Sequence, residues 1–392
     1  MSRPSASEPL LLRLPETLSA LALSFLGAKE ASSLSQVSSS FSTLAHSPEL
    51  WYFLCSDTGK LETCGRPQSL LYRDFYISNP SIPHDCATLA GALDHVTSGG
   101  TIVVAGNQTL RESELVVARD CEIKVHPPLT TARVLSISRA SGRQPRNKPL
   151  LSIKRDTTCK ISNVSFQHVS SGEDIWKGNA AVFVDGGNLF LADCSVQSDT
   201  GRGIVSCNEG IVKARDTVVH DSAATGVYAG GKSVLTLDRC NVLRNGVGGA
   251  EIPAGHSGIY VESSKALISD CFVSANSLTG VTLVRGGDAV IANSDVVENG
   301  SDAFTIEDEA TMGSTVQLVE NNLDGVSSRA TTEPQARGLR ATFMGHYCAD
   351  DGEWRKDEGW DFEAGGGQTG QTAEGSDAAS ESSGPDSSSP GL

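Results

Sequence analysis

Aromatic side chains are scarce in this chain, 5% of 392 residues, and hydrophobic residues of all kinds reach only 39%. That is little to pack a helical bundle of this length, whereas 40 glycines suit a fold of short strands and tight turns. Bases are also few: 31 Lys+Arg stand against 47 Asp+Glu, a net charge of -16. A nucleic-acid backbone or an anionic membrane needs a basic footprint, so neither is expected as a partner. No run of about 18 apolar residues occurs, so no segment is expected to span a bilayer. The opening MSRPSASEPLLLRLPETLSALALSFLG lacks the order of a secretory leader. The ten cysteines form no Cys-x-x-Cys pair and no Cys/His cluster with zinc spacing, so no metal and no cofactor are expected. Free thiols in a reducing compartment are the natural reading, and the sequons at Asn107, Asn163 and Asn299 read as chance matches. The expected location is the cytoplasm or the nucleus.

After a flexible start at 1–13, residues 14–56 read as a small helical module. Leu14-Pro15-Glu16 suits a first helical turn, and Leu18, Leu21, Phe25 and Leu26 recur at helical spacing up to Gly27. A second stretch carries Leu34, Val37, Phe41 and Leu44, Pro48 breaks it, and Leu50-Trp51 opens a third. So few apolar anchors make a marginal domain alone, and a partner surface would complete it.

LPETLSALALSFLGAKEASSLSQVSSSFSTLAHSPELW resembles an F-box, and SLLYRDFY (69–76) resembles the segment on the C-terminal side of F-boxes. The resemblance covers under a tenth of the chain. It implies docking onto the Skp subunit of a cullin-RING ubiquitin ligase through Leu14, Pro15, Leu18, Phe25, Leu26, Leu34, Val37, Phe41 and Trp51. The alternative is a helical cap packed on the next domain. Residues 57–83 read as a linker.

From residue 160 to 325 one pattern returns. One slot is filled by Val164, Cys194, Thr217, Cys240, Cys271, Ser294 and Asn321, at steps of 23 to 31 residues. An apolar residue stands two after it and, from the second copy, another three before it. A second motif comes next in each repeat: Ala181-Val-Phe-Val, Gly203-Ile-Val-Ser, Gly226-Val-Tyr-Ala, Gly258-Ile-Tyr-Val, Gly280-Val-Thr-Leu and Ala303-Phe-Thr-Ile. Three such short strands per repeat cannot bury a face alone, but stacked coils share one core. The parity break between slot minus three and the slot marks a corner.

The fold class is therefore mainly β, a parallel β-helix solenoid behind a small helical module. The repeats resemble the right-handed β-helices of the pectin-lyase-like group, which sets the domain at 84–345. CATLAGALDHVTSGGTIVV resembles the amphipathic helix and first strand that open such domains and cover the end of the core.

Thr217 and Ser294 share the slot of Cys194, Cys240 and Cys271, which favours small inward side chains over a metal ladder. Five residues after the slot, Asp199, Ser222, Asn245, Asn276 and Asn299 are placed to bond turn backbones up the stack.

Two features look unlike packing. The longest insertions, around 170–179 and 245–258, leave the same turn three coils apart, about 14 Å. The strand after that turn has the outer row Phe183, Val205, Tyr228, Tyr260, Thr282 and Thr305, unusually apolar for a solvated face. With Trp176, Lys177, Glu251 and His256 on the loops, this reads as a groove for a target protein, with site residues Trp176, Phe183, Tyr228, Tyr260, Glu251 and His256. The alternative is that the loops fold over and bury the row.

Polysaccharide lyases and hydrolases are the rival class that the β-helix resemblance implies, alongside a non-catalytic glycan-binding protein or scaffold. Such enzymes need clustered acids, and the recurrent acids here are Asp193, Asp216 and Asp270, interrupted by Arg239 and Asn293. No catalytic residue is assigned. The run His220-Asp221-Ser222 sits in one turn and is not expected to converge into a triad. The segment 346–363 reads as an acidic cap or short motif, and 364–392, with seven Gly, seven Ser and two Pro, as a disordered tail. Residues 350–392 hold 11 acids and two bases, so most of the net charge belongs to the end of the chain.

Overall fold

The computed structural model describes residues 15–26, 28–34, 36–37, 39–64, 71–127, 130–138, 148–170, 180–248, 254–307, 315–324 and 326–328. Leu14, Trp176, Lys177, Glu251 and the segments 346–363 and 364–392 lie outside them. The three helical stretches expected from the periodicity appear as four helices, α1 (Glu16–Ser24), α2 (Ala28–Leu34), α3 (Ser39–Ala45) and α4 (Pro48–Asp57), because the second stretch divides between Leu34 and Ser39. Ser47 caps α4 by accepting from the Leu50 amide at 3.2 Å, with Pro48 in the first turn where its missing N–H costs nothing. Leu23, Leu50, Trp51, Leu54 and Cys55 form the module's core.

The described parts of the segment expected to be a linker are structured. Helices α5 (Lys60–Cys64) and α6 (Tyr72–Ser78) occupy much of 57–83, and Phe75 and Tyr76 pack into the module's core. Sequence periodicity misses them because each is too short to show a repeating face. The solenoid also begins before residue 84, since Ser81–Ile82 pairs in parallel with Val103–Val104.

A buried polar node joins these parts. Lys60 is fully buried, with its ammonium 2.7 Å from Asp85 Oδ2, donating also to the Tyr76 carbonyl at 3.1 Å. Asp85 in turn accepts from the Tyr76 hydroxyl at 2.5 Å and from the Ser81 amide and hydroxyl at 2.7 Å. Burial acts to raise the Asp85 pKa, but the Lys60 charge and the three donors outweigh it and hold the carboxyl below its usual range. Thr63 on α5 bonds His126 on the second coil at 3.0 Å, adding a second tie.

Among the described residues twenty-eight strands, all paired in parallel, form three sheets: a first of ten strands from Ser81–Ile82 to Thr315–Val319, a second of nine from Thr109–Glu112 to Asn322–Leu323, and a third of nine from Leu115–Val117 to Val326–Ser328. Each full coil visits the first, second and third sheet in turn. Inward residues such as Leu191, Val196, Ile204, Leu237, Val242 and Ile259 merge into one continuous core. Helix α7 (Leu89–His95) covers the first coil with Leu89, Ala92 and Leu93, as the amphipathic pattern implies.

The corner inferred from the parity break is a left-handed residue. Asn163, Asp193, Asp216, Arg239, Asp270, Asn293 and Glu320, each just before the slot, have φ between 48° and 61°. Five of the seven are Asn or Asp, the residues that tolerate this conformation best after Gly, so the recurrent corner acids arise from backbone geometry. The corner frees the slot N–H from the sheet, and the next coil's slot side chain receives it. Cys194 N donates to Thr217 Oγ1, Cys240 N to Cys271 Sγ, Cys271 N to Ser294 Oγ, and Ser294 N to Asn321 Oδ1. At Thr217, Cys271, Ser294 and Asn321 the slot side chain thus accepts a hydrogen bond, a finer role than small volume alone, whereas Val164 fills the slot without one.

The polar ladder five residues on is also structural. Asn276 donates to the Val242 carbonyl and to Asn299 Oδ1, while its own Oδ1 receives Asn245 N and Nδ2. Gly258 is required beside it, because a Cβ there would lie 2.6 Å from Asn276 Nδ2. Asp199 departs from the ladder. Strand Ser195–Ser198 runs further than its successors, so Ser198 takes the buried position and Asp199 is exposed.

Candidate functional site

Two surfaces stand out. The first is α1, whose two faces are both mixed: it buries Ser19 and Ser24 together with Ala20 and Leu23. It leaves Leu18 51% and Leu21 37% exposed, and Phe25 just after it is 77% exposed. Leu26 and Val37 are exposed as well. Large apolar side chains in water beside buried serines are unfavourable for a free module and suited to a covered one.

The other residues that the F-box resemblance assigns to docking divide. Pro15 is exposed at the start of α1, and Leu34 and Phe41 are half-buried. Trp51 is a core residue: its indole N–H donates to the Ala45 carbonyl at 2.9 Å and its ring meets Tyr76 edge-on at 5.5 Å. Trp51 does not belong to the exposed patch, because an amphipathic side chain with a buried partner for its N–H packs best inside.

The second surface is the third sheet. The register of the outer row is the one read from the sequence: Phe183 pairs with Val205, Val205 with Tyr228, Tyr228 with Tyr260, Tyr260 with Thr282 and Thr282 with Thr305. Only Phe183, Tyr228 and Tyr260 reach solvent, each half-buried, whereas Val205, Thr282 and Thr305 are buried. At Thr282 the covering group is visible, since Ser257 on the second insertion bonds its hydroxyl at 2.7 Å. The open apolar row expected from the sequence is thus a smaller patch, partly roofed by its own loop.

The patch has a polar frame that sequence reading does not reveal. The Tyr228 and Tyr260 rings stack at 5.7 Å with 15° between planes, and the Arg202 guanidinium lies 4.6 Å from the Tyr228 ring. Tyr228 donates to Glu262 Oε2 at 2.6 Å, and Arg285 holds Glu262 Oε1 at 2.6 Å. Burial and then the Glu262 bond push the Tyr228 phenol well above its ordinary value. His256 is half-buried, and its imidazole is held below the usual range by burial and by the Arg202 charge. Arg202 and Glu262 carry no repeat signal, so only the folded chain places them here.

The acids considered for the enzyme reading are differently engaged. Asp216 forms a bidentate pair with Arg239 at 2.8 and 2.9 Å and meets Arg215 at 3.2 Å. Asp193 is raised above its usual range by burial and by Asp216. Among the described residues no group of three His, Cys, Asp or Glu could hold a metal ion, and no helix is long and apolar enough to cross a membrane.

Residues 11–57 match the F-box-like family, and residues 150–323 match the family described as right handed beta helix region. No curated protein matches the chain. Solved structures similar to it include an alginate lyase from Paenibacillus sp. str. FPU-7, 16% identical over 65% of this chain and 92% of that one, TM-score 0.45. Another is the pectin methylesterase from Aspergillus niger, 12% identical over 66% and 89%, TM-score 0.45. Neither likeness bears on the activity of this chain.

Proposed function

We propose that this chain, which carries an F-box-like segment ahead of a right-handed β-helix, is the target-selecting adaptor of a Skp–cullin–F-box type ubiquitin ligase and has no catalytic part in the transfer. The observation that carries the reading is the set of exposed apolar side chains on and around α1, with Leu18, Leu21, Phe25, Leu26 and Val37 left outside the module's core. The Skp subunit is the partner that covers them, and the cytoplasm or nucleus, where such ligases act, is the location. The β-helix then offers the target a surface around Phe183, Tyr228, Tyr260 and His256, flanked in sequence by the insertions bearing Trp176 and Glu251.

The test is co-purification of Skp and cullin subunits with the tagged full chain. Leu18→Ala combined with Phe25→Ala removes apolar surface without touching the core, so capture falls at least about tenfold while the thermal midpoint holds. Undiminished capture by that variant overturns the docking surface.

A further inference from the structure

Within the run His220-Asp221-Ser222, the sequence neighbours do not converge: Ser222 turns inward, fully buried, with its amide bonded to Asn245. A different serine completes the set. His220 Nδ1 lies 2.6 Å from Asp221 Oδ2, and His220 Nε2 lies 2.9 Å from the hydroxyl of Ser195, on the preceding coil. Ser195 opens strand Ser195–Ser198 and His220 closes strand Val218–His220, neighbours in the second sheet with Ser195 opposite Val218. Strand alternation puts His220 on the same outer face as Val218, diagonal to Ser195.

The partners fix the proton positions. Arg244 grips Asp221 through two bonds of 2.8 and 2.9 Å. Those bonds, then the His220 contact, hold the carboxyl below its usual range against the opposing effect of burial. An ionised carboxylate only accepts, so Nδ1 carries the hydrogen. Whenever the ring is neutral, Nε2 offers only a lone pair, and the Ser195 hydroxyl donates to it. This is the orientation in which an imidazole withdraws a proton from a hydroxyl, with a third group fixing the ring.

We propose that Ser195 is an activated nucleophile, with His220 as its general base and Asp221 positioning the ring, and that it is acylated by small activated esters and then hydrolysed. The Ser195 Oγ–carbon bond forms as the proton passes to Nε2, and the carbon–oxygen bond to the alcohol breaks as Nε2 protonates the leaving oxygen. Water then attacks the acyl carbon, giving its proton to Nε2, and Oγ leaves and takes that proton back. Ester and water become acid and alcohol. Gln197, two residues along the same strand face, commits one amide N–H to Asp199 at 2.8 Å and has a second to offer the oxyanion.

The stack contains its own control. Ser165 pairs with Ser195 one coil earlier, and Gln197 stands diagonal to it where His220 stands diagonal to Ser195. The full chain is treated with a fluorophosphonate probe and the adducts are located by peptide mapping. Ser195 should react about 100-fold faster than Ser165, the low end of a positioned general base's contribution. His220→Gln should bring the two rates together, and Ser195→Ala should abolish both the adduct and turnover of p-nitrophenyl acetate. Equal labelling of Ser195 and Ser165 in the unaltered chain overturns the proposal whatever the variants do, as does ester turnover that survives Ser195→Ala.

Discussion

Lys60 and Asp85, 25 residues apart in sequence, meet at 2.7 Å with the lysine side chain fully buried. Lys60 belongs to the last helices of the N-terminal module and Asp85 to the turn after the first strand of the solenoid. The Tyr76 ring lies 3.1 Å from the same ammonium. The node thus ties three elements at one charge pair, so its loss should be felt on both sides.

Asp85→Ala leaves the Lys60 ammonium buried without a counter-charge, a change that typically costs about 3–5 kcal/mol. Adding Lys60→Met should recover part of that loss. A cycle of urea unfolding measurements checks this; a double variant as unstable as the sum of the singles would refute the coupling.

His168 gives the stability a pH dependence. The imidazole is fully buried, with Nδ1 3.0 Å from Ser198 Oγ and Nε2 3.0 Å from the Lys148 carbonyl. Burial lowers its pKa from 6.5 to about 4. The folded state disfavours the proton that the unfolded state accepts, so this contribution is present above pH 6.5 and lost as pH falls toward about 4. The shift corresponds to about 3 kcal/mol. Unfolding midpoints at pH 7.5 and 4.5 measure it, and His168→Gln should flatten the difference.

Asn276→Ala removes two donated bonds and leaves the buried amide of Asn245 without its acceptor. The expected cost is about 2–3 kcal/mol. Cys271→Ser, which keeps an acceptor in the slot, should cost under about 1 kcal/mol. If chemical unfolding ranks the two the other way round, the slot's acceptor role is wrong.

On the third sheet, the stacked tyrosines should couple by about 0.5–1.5 kcal/mol in a Tyr228→Ala, Tyr260→Ala cycle. The same single variants are expected to weaken target capture while circular dichroism is unchanged. Normal target capture by both would move the recognition surface elsewhere.

The sequence exposes the solenoid because stacking repeats each constraint: the row from Phe183 to Thr305 can be registered residue by residue from the repeat alone. What it hides is whatever occurs once. Helices α5 and α6 have no repeating face, and nothing in the sequence pairs Lys60 with Asp85, 25 residues away. The slot illustrates a middle case, since volume is legible from Cys, Thr and Ser together but the shared acceptor role depends on the left-handed corner. Ser195 and His220 are invisible as a pair because 25 residues of coil separate them, although one turn of the helix brings them into contact.

The buried node has a metrical consequence. With the helical module fixed to the first coil, position along the solenoid becomes a distance from the docking helices, graduated at about 4.8 Å per coil. A feature on the coil of Tyr260 stands one graduation beyond one on the coil of Tyr228. Deleting one complete repeat would shorten the interval by one step, so the number of coils sets the reach.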